Sequence, residues 1–240
     1  MKRSFTKFLS CCMLLAGLAA FSCAGQESVP GTVVWSADGI PALLDYFGEP
    51  QLFWTPAGQA VHFDGDGDGV FLEGVPVAGM EEFTLEIVFR QDGDAAFEQR
   101  FLHIGTMDRR ILFETRANPD GTWYFDAFVN LGTPEATPEN PAPARQSAVL
   151  IDEKLTHPAG RWYTLTLTAS RDGLVSYVDG VEQCRSALPW RPVVNEGFTS
   201  VGVRQNKVCW FKGDILKLRV TPKVLDPADF LQDPKRLNRG

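Results

Sequence analysis

Apolar and polar side chains alternate one for one along much of the chain. Phe83-Thr84-Leu85-Glu86-Ile87-Val88-Phe89-Arg90 sets Phe83, Leu85, Ile87 and Phe89 on one face. Arg161-Trp162-Tyr163-Thr164-Leu165-Thr166-Leu167-Thr168 sets Tyr163, Leu165 and Leu167 on one face and threonines on the other. Thr122 to Val129 alternates in the same way, with Trp123, Phe125 and Ala127 in register. A period of two in β-branched and aromatic residues predicts half-buried strands. Shorter segments of this kind are Gln51–Thr55, Ala60–Phe63, Gly69–Glu73, Arg100–Gly105, Arg110–Arg116, Leu174–Val178, Phe198–Val203 and Ile215–Val220. Asp-Gly pairs at 92–93, 120–121, 172–173 and 179–180 supply the positive φ that tight connections need. No segment keeps a helical period over three turns. One short C-terminal helix is expected, with Asp226 as N-cap, Pro227 in the first turn and Asp229 behind it. Many strands at hairpin spacing, without helices to cover a parallel sheet, predict an all-β antiparallel sandwich or barrel.

Residues 133–147 interrupt this pattern with Pro134, Pro138, Pro141 and Pro143 and read as an extended surface loop inside one domain. The chain has 240 residues, 44% of them hydrophobic, enough for one continuous core. Its formal net charge is −7, from 30 acidic and 23 basic side chains. That balance argues against nucleic-acid binding, which draws most of its affinity from a basic face.

The first residues read as an address. Lys2, Arg3 and Lys7 precede an uncharged run from Phe8 to Phe21, too short to span a bilayer core of ~30 Å. Ala20-Phe21-Ser22-Cys23 follows and resembles the lipobox of bacterial lipoproteins, which implies a lipid on Cys23 as the mature N-terminus. Ordinary cleavage near Ser22-Cys23-Ala24 is the alternative and would yield a secreted protein. The expected division is a signal peptide over 1–22, a tether over 23–32, the folded domain over 33–232 and a tail over 233–240. Loss of three positive charges with the signal takes −7 to −10. The expected location is the bacterial envelope, at the cell surface, with the lipid as the only membrane attachment. Beyond the signal and Cys23 remain Cys184 and Cys209. In an oxidising compartment two cysteines are expected to pair, which would stabilise the fold by about 3.5 kcal/mol.

Several of these segments, taken in order, resemble laminin-G-like domains. Phe83 to Phe89 is similar to their early core strand. Arg161-Trp162-Tyr163, Asp172-Gly173-Leu174 and Tyr177-Val178-Asp179-Gly180-Val181 are similar to their central hairpin. Phe211-Lys212-Gly213-Asp214-Ile215 to Val220, followed by Leu225 and Asp226-Pro227, is similar to their closing strand and tail. The resemblance covers roughly residues 33–232. It implies the two-sheet jelly roll of the concanavalin A-like superfamily, a fold that hosts lectins, adhesion modules, glycosidases and lyases.

Reactive chemistry is sparse. His62, His103 and His157 have no zinc-site spacing, and neither a nucleophile elbow nor a phosphate-cradling loop occurs. Glycoside hydrolysis needs two carboxylates about 5–9 Å apart. The Glu-x-Asp-x-x-Glu strand of jelly-roll glucanases is missing, and Glu82 and Glu86, its nearest imitation, read as solvated strand carboxylates. Asp64, Asp66 and Asp68 alternate with glycines, so they read either as a plain hairpin or as a calcium loop. The tryptophans carry more. Flat C–H faces of sugars stack on exposed aromatic rings while polar neighbours take the hydroxyls. Trp35, Trp54 and Trp162 are expected in the core. Trp190 with Arg191, Trp123, and Trp210 with Asn206 lie at loops and are the candidate platform. The expected function is non-catalytic recognition of a polysaccharide or other glycan, with calcium as the candidate cation. An adhesion or assembly role toward an envelope protein is the second reading, and glycan cleavage by a hydrolase or lyase the third.

Overall fold

A computed structural model describes residues 32–36 and 43–239. The proposed signal peptide, the lipid site Cys23 and nearly all of the tether lie outside the described residues. The strands, in chain order, are β1 (Thr32–Ser36), β2 (Leu43–Phe47), β3 (Gln51–Thr55), β4 (Gly58–Asp64), β5 (Gly69–Glu73), β6 (Phe83–Gln91), β7 (Glu98–Gly105) and β8 (Arg110–Ala117). They continue with β9 (Thr122–Gly132), β10 (Gln146–Ile151), β11 (His157–Pro158), β12 (Trp162–Ser170), β13 (Gly173–Val178), β14 (Val181–Ser186), β15 (Phe198–Val201) and β16 (Lys212–Thr221). A 3-10 turn over Pro227–Asp229 and helix α1 (Asp233–Leu237) close the chain.

Two eight-stranded antiparallel sheets face each other. Sheet A runs β14-β13-β12-β6-β16-β4-β3, with β1 added against β16. Sheet B runs β10-β9-β8-β7-β15-β5-β2, with β11 added against β9. The alternation seen in the sequence explains this pairing. Leu85, Ile87 and Phe89 of β6 sit opposite Leu167, Leu165 and Tyr163 of β12, so one register slip would turn every large side chain outward. Those residues meet Phe101, Phe113, Trp123 and Phe125 of sheet B in a single core. Phe89 stacks on Phe101 at 5.1 Å and takes Trp123 edge-on at 5.2 Å. Each such side chain contributes roughly 1.5–3 kcal/mol through burial alone.

The outer face of sheet A departs from expectation. Its threonines and Glu86 are buried beneath the C-terminal segment. Thr84 Oγ1 donates to Lys223 O at 2.7 Å and accepts from Leu225 N at 2.9 Å. Glu86, fully buried, accepts from Leu231 N at 2.7 Å and Arg219 Nε at 2.6 Å. It is therefore no solvated carboxylate. Burial pushes its pKa up, against the pull of the Leu231 amide and Arg219. Trp162, Val88, Leu216 and Ala60 form a small second core under Leu231 and Leu237. Asn238 locks the end down, accepting from Trp162 N at 3.0 Å and donating to Trp162 O at 2.8 Å. Residues 233–239 are thus part of the fold rather than a tail. The expected helix at Asp226 is only a 3-10 turn, and the Asp226 side chain makes no capping bond.

Two further expectations are corrected. Trp54 is 76% exposed, because β3 is the edge strand and Trp54 projects from it beside Leu52, itself 57% exposed. Cys184 and Cys209 are free thiols. Cys184 lies on β14, the edge of sheet A, with Sγ at 3.7 Å from Ile151 O. Cys209 lies in the loop before β16, and its Sγ donates to Glu98 Oε2 at 3.1 Å. Each faces sheet B from a different element rather than the other thiol.

Candidate functional site

The ends of β7, β9 and β5 and the starts of β8, β10 and β15 converge at one end of sheet B. Two long connections close over them. One is the proline-rich loop between β9 and β10. The other runs from β14 to β15 and carries Trp190 and Arg191. Between them lies a pocket of about 250 Å³.

Trp190 builds this pocket and does not present a stacking face to it. The side chain is 1% exposed; Nε1 donates to Met80 O at 2.9 Å, and the ring meets Phe83 edge-on at 4.8 Å. Its amide donates to Ser170 O at 2.8 Å. The indole thus anchors the 187–197 loop to sheet A, leaving the exposed Arg191 at the pocket mouth. Further along, Asn195 Oδ1 accepts from Val75 N at 2.8 Å, and Gly79 N donates to Val193 O at 2.9 Å. At Gly197 (φ +101°) a Cβ would fall 2.1 Å from Gly105 O, so only glycine lets the loop cross β7 so closely.

The walls are apolar: Val75, Val77, Ile104, Ile111, Leu131 and Val193. Polar groups enter from the strand ends. The Thr106–Arg109 turn is tied by Thr106 N to Arg109 O at 2.8 Å, and Thr106 Oγ1 accepts from Arg109 N at 3.0 Å. It places Arg109 at the mouth and Arg110 at the start of β8. Arg110 stands directly opposite Asn130 across the β8–β9 ladder. Asn130 is 1% exposed; its Oδ1 accepts from Gly132 N at 3.0 Å, which fixes Nδ2 as the other end of the amide. Neither Asn130 Nδ2 nor Arg110 Nε meets an acceptor among the described residues. Burial, and then the nearby Arg204, hold the Arg110 guanidinium below its ordinary pKa, against the opposing pull of Glu114.

Beside the pocket, the outer face of sheet B carries a shallow basin lined by Arg110, Arg204, Glu114, Arg116 and Asp126. Arg116 Nη2 lies 3.0 Å from Glu114 and 2.8 Å from Asp126, and Arg100 Nε donates to Glu114 at 3.0 Å. Burial raises the pKa of Glu114, against the pull of Arg100. Glu114 Oε2 and Asp126 Oδ2 point at guanidiniums, which clamp β7, β8 and β9 together, while Asp126 Oδ1 meets no donor among the described residues.

The remaining expected residues are scattered. Trp123 is fully buried in the core, packed on His157 and Tyr163, and has no face for a ligand. Trp210 is half-buried, edge-on to Phe47 at 5.6 Å, with Asn206 exposed on the same loop; neither lines the pocket. Asp68 is 4% exposed and accepts from Glu49 N at 2.7 Å and Asp64 N at 3.1 Å, while Asp64 accepts from Asp66 N at 2.7 Å. Backbone amides thus hold that loop as a hairpin turn. No group of three or more metal-ligating side chains gathers among the described residues. Sequence reasoning missed Arg109, Arg110 and Asn130. The Arg109-Arg110 pair after a turn was the available signal, and Asn130 at the end of a strand gave none.

A family model of laminin-G type, described as concanavalin A-like lectin/glucanases superfamily, matches residues 64–229. No curated protein sequence matches the chain. Among solved structures, a heptameric serum-amyloid-P-like pentraxin from Limulus polyphemus superposes with a TM-score of 0.50 at 13% identity, over 70% of this chain and 77% of the pentraxin. The binding domain of botulinum neurotoxin serotype D gives a TM-score of 0.54 at 13% identity, over 80% of this chain but 46% of the toxin chain. That of serotype G gives 0.53 at 7% identity, over 85% and 46%.

Proposed function

The chain belongs to the concanavalin A-like lectin/glucanases superfamily, and on that premise we propose that it is a recognition module binding carbohydrate through the pocket at the end of sheet B. The fold neighbours support binding in general, since two of them are toxin binding domains. What carries the reading for sugar is the make-up of the pocket. Apolar walls suit the C–H faces of a pyranose, and Arg109, Arg191, Asn130 and Gln146 bring donors to its hydroxyls and carbonyls. The expected envelope location belongs to the same proposal: a lipid on Cys23 would hold the domain at a surface. Among the described residues no helix is long and apolar enough to cross a membrane.

A glycan array tests the reading, run with the full chain and with Arg191→Gln and Asn130→Ala. Saturable binding that both variants weaken is the expected result. A chelator arm tests calcium at the Asp64–Asp68 loop. Release of reducing ends from any bound glycan would move the assignment to cleavage by the superfamily's glycosidase chemistry. A second reading, adhesion to an envelope protein, has its own observation. Leu52, Trp54 and Tyr46 are 57%, 76% and 61% exposed. A blank array with specific capture of an envelope protein, abolished by Trp54→Ser, would favour it.

A further inference from the structure

The chain is acidic, yet around the pocket three arginines stand against two glutamates. Arg109 and Arg191 are exposed at its mouth, Arg110 lines it, and Arg204 stands beside Arg110 on the outer face of sheet B. Among the described residues none of these four makes an ion pair, although ion pairs fix Arg90, Arg100, Arg116 and Arg219 elsewhere on the two sheets. Arg145, on the proline-rich loop, reaches only Asp108, at 3.9 Å across the surface. Two buried donors on facing strand positions, Arg110 Nε and Asn130 Nδ2, also lack an acceptor among the described residues, although Arg110 Nη1 donates to Met107 O. A buried donor left unpaired costs about 1–3 kcal/mol, more when charged, so two side by side are a standing demand for an acceptor. Glu135 and Glu196 stand at the rim, and neither pairs with these arginines.

We infer that the pocket selects an acidic saccharide: a sugar unit whose carboxylate is taken by the guanidiniums of Arg109 and Arg191 and the Asn130 amide, with its ring against the valine and isoleucine walls. This rests on the carbohydrate reading and narrows it to one class of ligand. A planar carboxylate suits guanidinium donors in a way that a neutral hydroxyl does not. The size of the cavity limits the recognised unit to about one residue with its substituents, so chain length beyond that unit should matter little.

The test is a panel of polygalacturonate, alginate and hyaluronan, each with its carboxyl-reduced neutral counterpart, beside neutral galactan and xylan, all against the full chain. Binding to at least one acidic polymer and loss of that binding on reduction are expected. Arg109→Gln and Arg191→Gln, both at exposed positions, should each weaken it roughly tenfold. Raising salt from ~0.1 M to ~1 M, which shortens the screening length from ~10 Å to ~3 Å, should weaken it further. Asn130→Asp, which sets a carboxylate among the lining residues, should abolish it; if that variant does not fold, the two arginine variants still decide. Equal binding of native and reduced polymers, indifferent to both arginines, overturns the acidic-sugar inference and leaves carbohydrate recognition standing. Retention of no saccharide at all overturns both.

Discussion

Acidification should strike this fold at His103. The ring is fully buried on β7, and Nε2 lies 3.0 Å from Thr106 O, a carbonyl that can only accept. The neutral imidazole therefore carries its proton on Nε2, and Nδ1 has no partner among the described residues. A second proton would create a buried N–H with no acceptor, facing Arg110 and Arg204. Burial, first of all, lowers the His103 pKa to about 4. In the unfolded chain it returns to about 6.5. Between those values the unfolded chain binds a proton that the folded one refuses, so stability rises with pH across the window. On descent from pH 6.5 through about 4 the shift removes about 3 kcal/mol, at ~1.4 kcal/mol per pH unit. Urea unfolding of the wild type and His103→Gln across that range isolates the term. Glutamine can still donate to Thr106 O and cannot titrate. Glu86, Glu114 and Asp214, whose pKa values burial raises, bias stability the opposite way, but they do so in both proteins. The difference between the two curves should open by about 3 kcal/mol as pH falls. Parallel curves would show that His103 is charged or solvated in the native state and refute the reasoning.

Trp190→Ala should destabilise by about 3–5 kcal/mol in chemical denaturation, because it removes a fully buried ring and orphans Met80 O; a loss below ~1 kcal/mol would mean that the 187–197 loop is not anchored there. Arg219→Met strands the Glu86 carboxylate and should lose about 3–5 kcal/mol at neutral pH, with most of it recovered in a Glu86→Leu, Arg219→Met double variant; no recovery would locate the loss elsewhere than in the unpaired charge. Alkylation without reductant, read by peptide mass spectrometry after unfolding, should find Cys184 and Cys209 each carrying the label, and a linked 184–209 peptide would contradict the free thiols.

The sandwich was readable because each central strand repeats one physical signal, an apolar residue at every second position, and β3 and β5 came out to the residue. The signal fades where burial is not periodic. β10 follows the proline-rich loop, and β14 is a mostly polar edge strand whose Glu182 and Arg185 are exposed, so neither announced itself. Edge position also misled at Trp54, since hydrophobicity does not say whether a strand has a neighbour on its far side. Glu86 misled in the opposite direction: its cover arrives from Leu231, 145 residues later. The binding platform expected on loop tryptophans failed for a related reason. A large indole beside prolines fits a sugar shelf and a loop anchor equally well, and only the tertiary contact of Trp190 with Met80 and Phe83 separates the two. Arg191, its neighbour, does reach the pocket. Arg110 and Asn130 were invisible as a pair, because the sequence does not state which residues of β8 and β9 stand opposite each other.

Nuclear magnetic resonance of the isotopically labelled chain, titrated with the best-bound saccharide, tests the assignment of the pocket most directly. The account predicts that the Asn130 side-chain amide and the backbone amides of Gly105, Leu131 and Arg191 shift together and saturate with one binding constant, while Trp54 and Trp210 stay still. Shifts gathered on the Leu52–Trp54 edge or on the Asn206–Trp210 loop, with Asn130 unmoved, would contradict it.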